Sequence, residues 1–146
     1  VKSILLLSFI LGALASTTLA QATNTSAKPA SKLKVTGHYA MRSKSAPNSM
    51  EVQELAGGKI KFHILALWVS YYNRDNVHNG ETQGTVDLVG DTAVYKEENC
   101  KITIRFTRTS AIVKQADDIG DCDFGANVIA TGTYRKLDSR KPKFDY

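Results

Sequence analysis

The sequence predicts an all-β fold: one small barrel of eight antiparallel strands in meander order, pinned by a single disulfide. Three observations carry this expectation. From residue 33 onward, apolar residues recur with period two rather than 3.6, the spacing of half-buried strands. Turn residues interrupt the chain every several positions. Two pieces near opposite ends echo one another, VTGHYA at 35–40 and ATGTYR at 130–135, as first and last strands that pair with each other would. Closing a meander in this way removes the sheet edges that invite aggregation.

In chain order, strands are expected at 33–40, 49–55, 59–69, 82–89, 92–96, 100–107, 111–116 and 127–136. The first carries VTGHYA. The second stops at Gly57-Gly58, a tight-turn pair because glycine tolerates positive φ. The third, KIKFHILALWVS, alternates through Ile60, Phe62 and Ile64, then turns apolar on both faces through Leu65, Leu67, Trp68 and Val69. Such a strand is covered on both sides or offers a contact surface at its end, and Trp68 is the residue assigned to contact rather than core. Gly90-Asp91 joins the fourth strand to the fifth. The sixth, KITIRF, alternates most cleanly: Ile102, Ile104 and Phe106 share one face and Lys101, Thr103 and Arg105 the other. A short polar connection at 108–110 leads to the seventh, and Gly125 supplies the turn or bulge that launches the eighth.

The two ends differ from this body. Residues 1–22 have the pattern of an export signal: Lys2, a short apolar run from Ile4 to Leu14, and the A-x-A cleavage pattern Ala20-Gln21-Ala22. The apolar run is well short of the roughly 20 residues that cross a bilayer, so no transmembrane anchor is expected. Removing 22 of 146 residues leaves 124, enough for one domain with its own core. Residues 23–34 are expected to form a disordered basic linker, 35–136 the barrel, and 137–146 a basic C-terminal tail.

The formal charge of +5 concentrates at these ends. Residues 23–36 carry three lysines and no acid, and residues 135–146 five cations against two acids, whereas 37–134 hold ten cations against twelve acids. A nucleic-acid partner is not expected, because its groove needs a basic face on the folded body with aromatics placed to stack bases. The basic ends suit weak contact with anionic envelope surfaces.

Two cysteines in an exported chain are most simply one disulfide. Pairing the sixth and seventh strands brings the chain just past Ala116 beside Cys100, and residues 117–121 return Cys122 within range. Closing this loop of about 22 residues contributes about 3 kcal/mol by the chain-entropy estimate. A reactive thiol would need a neighbouring base or cation, whereas Cys122 stands between Asp121 and Asp123. Zinc needs more ligands at motif spacing than the scattered His38, His63 and His78. The acids Asp117, Asp118, Asp121 and Asp123 invite a calcium reading but depart from the D-x-D-x-D-G loop with its distant glutamate. An acidic turn is the simpler reading, and neither metal nor cofactor is expected.

The run GDTAVY, CKITIRF, CDFGANV and GTYRK, spanning 90–136, resembles a module of small exported Gram-negative β-barrel proteins, largely uncharacterised, some of whose relatives are labelled lysozyme-inhibitor-like. In that pattern glycine usually follows the second cysteine, where Asp123 stands here. The resemblance implies a periplasmic barrel with this disulfide and carries no established active residues.

No His/Ser/Asp set, paired carboxylates or metal motif marks an enzyme, so a non-enzymatic binding protein is the leading expectation. Its expected contact surface is the polar connection YYNRDNVHNGE at 71–81 with Trp68 just before it, the contact residues being Trp68, Tyr71, Tyr72, Arg74, Asp75, His78 and Asn79. Such side chains combine flat apolar area with hydrogen bonding and suit a protein or glycan partner. Were the partner a lysozyme, this loop or the acidic turn would meet its basic cleft. The alternatives are a lipocalin-like carrier of a small apolar ligand, for which the strands look too short and too well filled, and a structural envelope protein. The expected location is periplasmic or extracellular.

Overall fold

The computed structural model describes residues 33–116, 122 and 124–144. The expected signal segment, nearly all of the linker, and Asp117, Asp118, Asp121 and Asp123 lie outside the described residues. Eight strands form a closed antiparallel barrel in meander order. They are β1 (Gly37–Ala40), β2 (Ser49–Glu54), β3 (Lys59–Val69), β4 (Val77–Val89), β5 (Thr92–Glu97), β6 (Cys100–Phe106), β7 (Ser110–Gln115) and β8 (Gly132–Lys136). A single 3-10 turn, Ala56–Gly58, joins β2 to β3, with Gly57 and Gly58 at φ 72° and 74°. Among the described residues no helix is long and apolar enough to cross a membrane.

Period-two patterning fixes which side chains enter the barrel. Ile60, Phe62 and Ile64 of β3, Ile102, Ile104 and Phe106 of β6, and Ala111 and Val113 of β7 point inward and are buried. Tyr39, Met50, Val52 and Tyr134 fill the space between them. Edge-on packing of Phe62 against Tyr95, centroids 5.4 Å apart, depends on Gly84, where a Cβ would stand 2.8 Å from the Tyr95 ring.

Three strand boundaries differ from expectation by more than one residue. β1 begins at Gly37 rather than residue 33: Gly37 has φ 148°, and a Cβ there would collide with the Asp138 carbonyl, so the ladder starts at this kink, with Gly37↔Val52. β4 begins at Val77 rather than residue 82, pairing with β3 down to Val69↔Val77. Its first residues, VHNGE, carry no apolar alternation because their less exposed positions are His78 and Gly80 rather than large apolar side chains. β8 begins at Gly132 rather than residue 127, after a turn in which Val128 N donates to Gly125 O at 3.0 Å.

Closure rests on the echoed sequence. β1 and β8 pair through Tyr39↔Lys136 and Ala40↔Arg135. The Tyr39 hydroxyl donates to Val35 O and the Tyr134 hydroxyl to Ala130 O, each four residues back and each at 2.7 Å. The match extends to the neighbouring strands. Glu54 N donates to Thr36 Oγ1 while Glu54 Oε2 accepts from Val35 N; Gln115 N donates to Thr131 Oγ1 while Gln115 Oε1 accepts from Ala130 N. One four-part clasp therefore fastens the N-terminal hairpin and, repeated, the C-terminal one. Buried backbone groups at both strand starts are thereby satisfied.

Residues 137–144, expected to be a basic tail, lie against the barrel. Leu137 N donates to His38 O at 2.8 Å, His38 Nδ1 donates to Asp138 at 2.8 Å, Pro142 is buried, and Lys61 Nζ sits 4.5 Å above the Phe144 ring.

Candidate functional site: the upper rim of the barrel

β3 and β4, the two longest strands, run together past their neighbours and carry the 70–76 connection beyond one end of the barrel. This end, called the upper rim below, gathers the expected contact residues. The connection braces itself: Ser70 N donates to Asn76 O, Asn76 N to Asn73 O, Asn73 N to Ser70 Oγ and Asp75 N to Asn73 Oδ1. These turn bonds are the ones short polar side chains favour. With the backbone so engaged, the Tyr71 and Tyr72 side chains project outward, 88% and 96% exposed, in edge-to-face contact with centroids 5.4 Å apart. Arg74 and Asp75 are exposed beside them.

Trp68, His78 and Asn79 belong to the ladder below this tip. The expected loop at 71–81 is thus shorter, since Val77 onward is strand. Trp68 is cross-strand partner to His78, with ring centroids 5.0 Å apart, and it packs against the core at the rim. The residue singled out for contact in the third strand therefore faces inward. Leu65, Leu67 and Val69 instead take the outward face, half-buried. His78 Nδ1 donates to Ala126 O at 2.6 Å, which ties this ring to the crossing chain.

The connection from β7 to β8 crosses this same rim. Cys122 forms the expected disulfide with Cys100, with Cα atoms 4.7 Å apart. Its carbonyl accepts from the Thr82 hydroxyl at 2.7 Å, and Phe124 bridges to Gly80 of β4. Gly125 lies so close to β4 that a Cβ would stand 2.9 Å from Asn79 O. The glycine is needed for this approach rather than to launch a strand. Asn48, buried at the start of β2, ties the far side of the crossing: its Nδ2 donates to Ile129 O and to the Tyr134 hydroxyl, and its Oδ1 accepts from Leu67 N. Sequence reasoning missed Asn48, which no motif marks.

β4 and β5 pair only through Leu88↔Ala93 and Val89↔Thr92. Above that point they part, leaving an open polar cleft of about 420 Å³ with the disulfide in its wall and Glu81, Gln83, Glu97 and Glu98 around it. Two of these carboxylates are engaged, Glu81 by His63 at 2.9 Å and Glu97 by the Tyr95 hydroxyl. Among the described residues no group of three or more His, Cys, Asp or Glu is arranged to hold a metal. No protein-family model matches the chain, and no curated protein or solved structure matches it significantly.

Proposed function

We propose that this chain is an exported, non-enzymatic binding protein whose contact surface is the tip of the β3–β4 hairpin. The observation that carries the reading is the pair Tyr71 and Tyr72, two adjacent large aromatics held almost wholly in solvent on a self-braced loop. Burying neither ring adds nothing to folding, whereas burying both against a partner recovers apolar area at small entropic cost, since each has two side-chain torsions. Arg74 and Asp75 add directional contacts at the edge of the same tip.

The filled interior supports binding at the surface over carriage of an apolar ligand, because the inward positions are occupied by Phe, Tyr, Ile, Val and Met side chains. The resemblance in 90–136 adds a partner class: a cell-wall-cleaving enzyme such as lysozyme. Its basic cleft would meet Glu97 and Glu98, which stand at the same end of the barrel as the tip.

The test is inhibition of lysozyme-driven cell-wall lysis. The expected result is stoichiometric slowing, with Tyr71→Ala/Tyr72→Ala weakening it at least ~10-fold, a loss of about 1.4 kcal/mol, at unchanged thermal stability. Lysis unaffected by excess protein would remove lysozyme as partner; full inhibition by the double variant would remove the tip as contact surface.

A further inference from the structure

The outward side chains of β5 to β8 form a face with cations and no carboxylate. Lys96, Lys101, Arg105, Lys114 and Arg135 stand on it, between threonines, a serine, Val94 and Ile112. Among the described residues none of the five takes part in an ion pair. The wall formed by β1 to β4 and the C-terminal segment differs: there Lys59 pairs with Asp87, His63 with Glu81, and His38 with both Glu51 and Asp138. Lys96 and Lys101 are direct cross-strand partners, an arrangement of like charges that costs stability. Sums along the chain hid this face, because they also count acids such as Glu51, Glu81 and Asp87 on the other wall and Asp91 and Glu98 in turns.

We infer that the outer face of β5–β8 docks on the anionic headgroup surface of a lipid membrane. Charge sign calls for an anionic partner, and the layout, cations spread in two dimensions over the convex outer wall of a closed barrel, favours an extended surface over a single line of charge. Three strand-to-strand steps and the four residues from Lys101 to Arg105 spread the cations over a patch roughly 14 Å by 13 Å, measured along the curved wall. Their order is two-dimensional, with Lys96↔Lys101, Thr103↔Lys114 and Ser110↔Arg135 as the cross-strand rows. A linear polyanion would be served by a groove, and a single-stranded nucleic acid by aromatic platforms, yet the outward positions of these strands include no aromatic. Val94, 43% exposed among the cations, suits a headgroup boundary. Each Lys or Arg near an anionic leaflet contributes about 1 kcal/mol, and the cations of adjacent strands that reach the lipid together suffice for weak, reversible attachment without an inserted segment. The β3–β4 tip projects from the end of the barrel and is not part of this face, so the attachment does not depend on what that hairpin binds.

The test is co-sedimentation of the purified protein with vesicles of phosphatidylcholine alone or with about 30% phosphatidylglycerol, at about 20 mM and about 500 mM salt. Binding is expected only with phosphatidylglycerol and only at low salt. Lys101→Glu/Lys114→Glu should weaken it at least ~10-fold with an unchanged circular dichroism spectrum, while Lys28→Gln/Lys32→Gln/Lys34→Gln should retain it. Lys96→Glu separates this role from a structural one, because it should weaken vesicle binding while raising the thermal midpoint as a repulsive cross-strand pair becomes attractive. Equal sedimentation with both vesicle types would overturn the inference. So would loss in the terminal variant with retention in the face variant, or binding to heparin or duplex DNA with none to vesicles.

Discussion

Tyr134 makes two hydrogen bonds where Tyr39 makes one, and both hydroxyls are buried. Removing either leaves a carbonyl without its donor, so Tyr39→Phe should cost about 1 kcal/mol in urea unfolding and Tyr134→Phe about 2 kcal/mol. Burial also raises the phenol pKa of both: Tyr134 is pushed up to about 12, and Tyr39 further still, with the Glu54 charge adding to burial. Because these folded values exceed the unfolded value of about 10, the stabilisation is complete below pH 10 and is lost as pH rises through the folded pKa. Stability measured from pH 10 to 12 should therefore fall steeply in the wild type, by up to about 1.4 kcal/mol per pH unit for each tyrosine, and less steeply in either Phe variant. A wild-type slope equal to that of the double Phe variant would refute this. Asp138 has the opposite sign: hydrogen bonds from His38 and then Arg140 hold its carboxyl below the ordinary range. Its contribution is present above that range and lost in acid, so Asp138→Asn should flatten the acid limb of the stability profile.

At the scale of elements, the crossing between β7 and β8 depends on its disulfide. Cys100→Ser/Cys122→Ser should lower stability by about 3 kcal/mol in denaturant unfolding, with a steeper slope because the unfolded chain without its cross-link exposes more surface. Which elements the sequence reveals follows from what each faces. KITIRF and the first half of β3 have one dry and one wet side, so period two names their inward residues correctly. The start of β4 is strand because β3 pairs with it, and VHNGE contains no signal of that pairing. Thr-Gly-x-Tyr at both ends foretold the β1–β8 neighbours. Its partners Glu54 and Gln115 stayed hidden, since their bonds to Val35 and Ala130 exist only once register is set. For the upper rim, Tyr71, Tyr72, Arg74 and Asp75 were legible as an exposed polar connection. The inward turn of Trp68 was not, because alternation along an apolar run leaves facing undetermined until one register is chosen.

The whole molecule has two differently equipped sides. One wall presents cations that form no ion pair among the described residues, and the β3–β4 hairpin carries two exposed tyrosines beyond the rim. Between them the interior is occupied by its own side chains, so the account assigns activity to the outside of the barrel. Native mass spectrometry of the protein, alone and mixed with a lysozyme, tests that assignment most directly. The account predicts a bare chain on its own, a one-to-one complex in the mixture, and no complex with Tyr71→Ala/Tyr72→Ala. A cargo mass that leaves the free protein only on denaturation, or a mixture showing both proteins unbound, would contradict it.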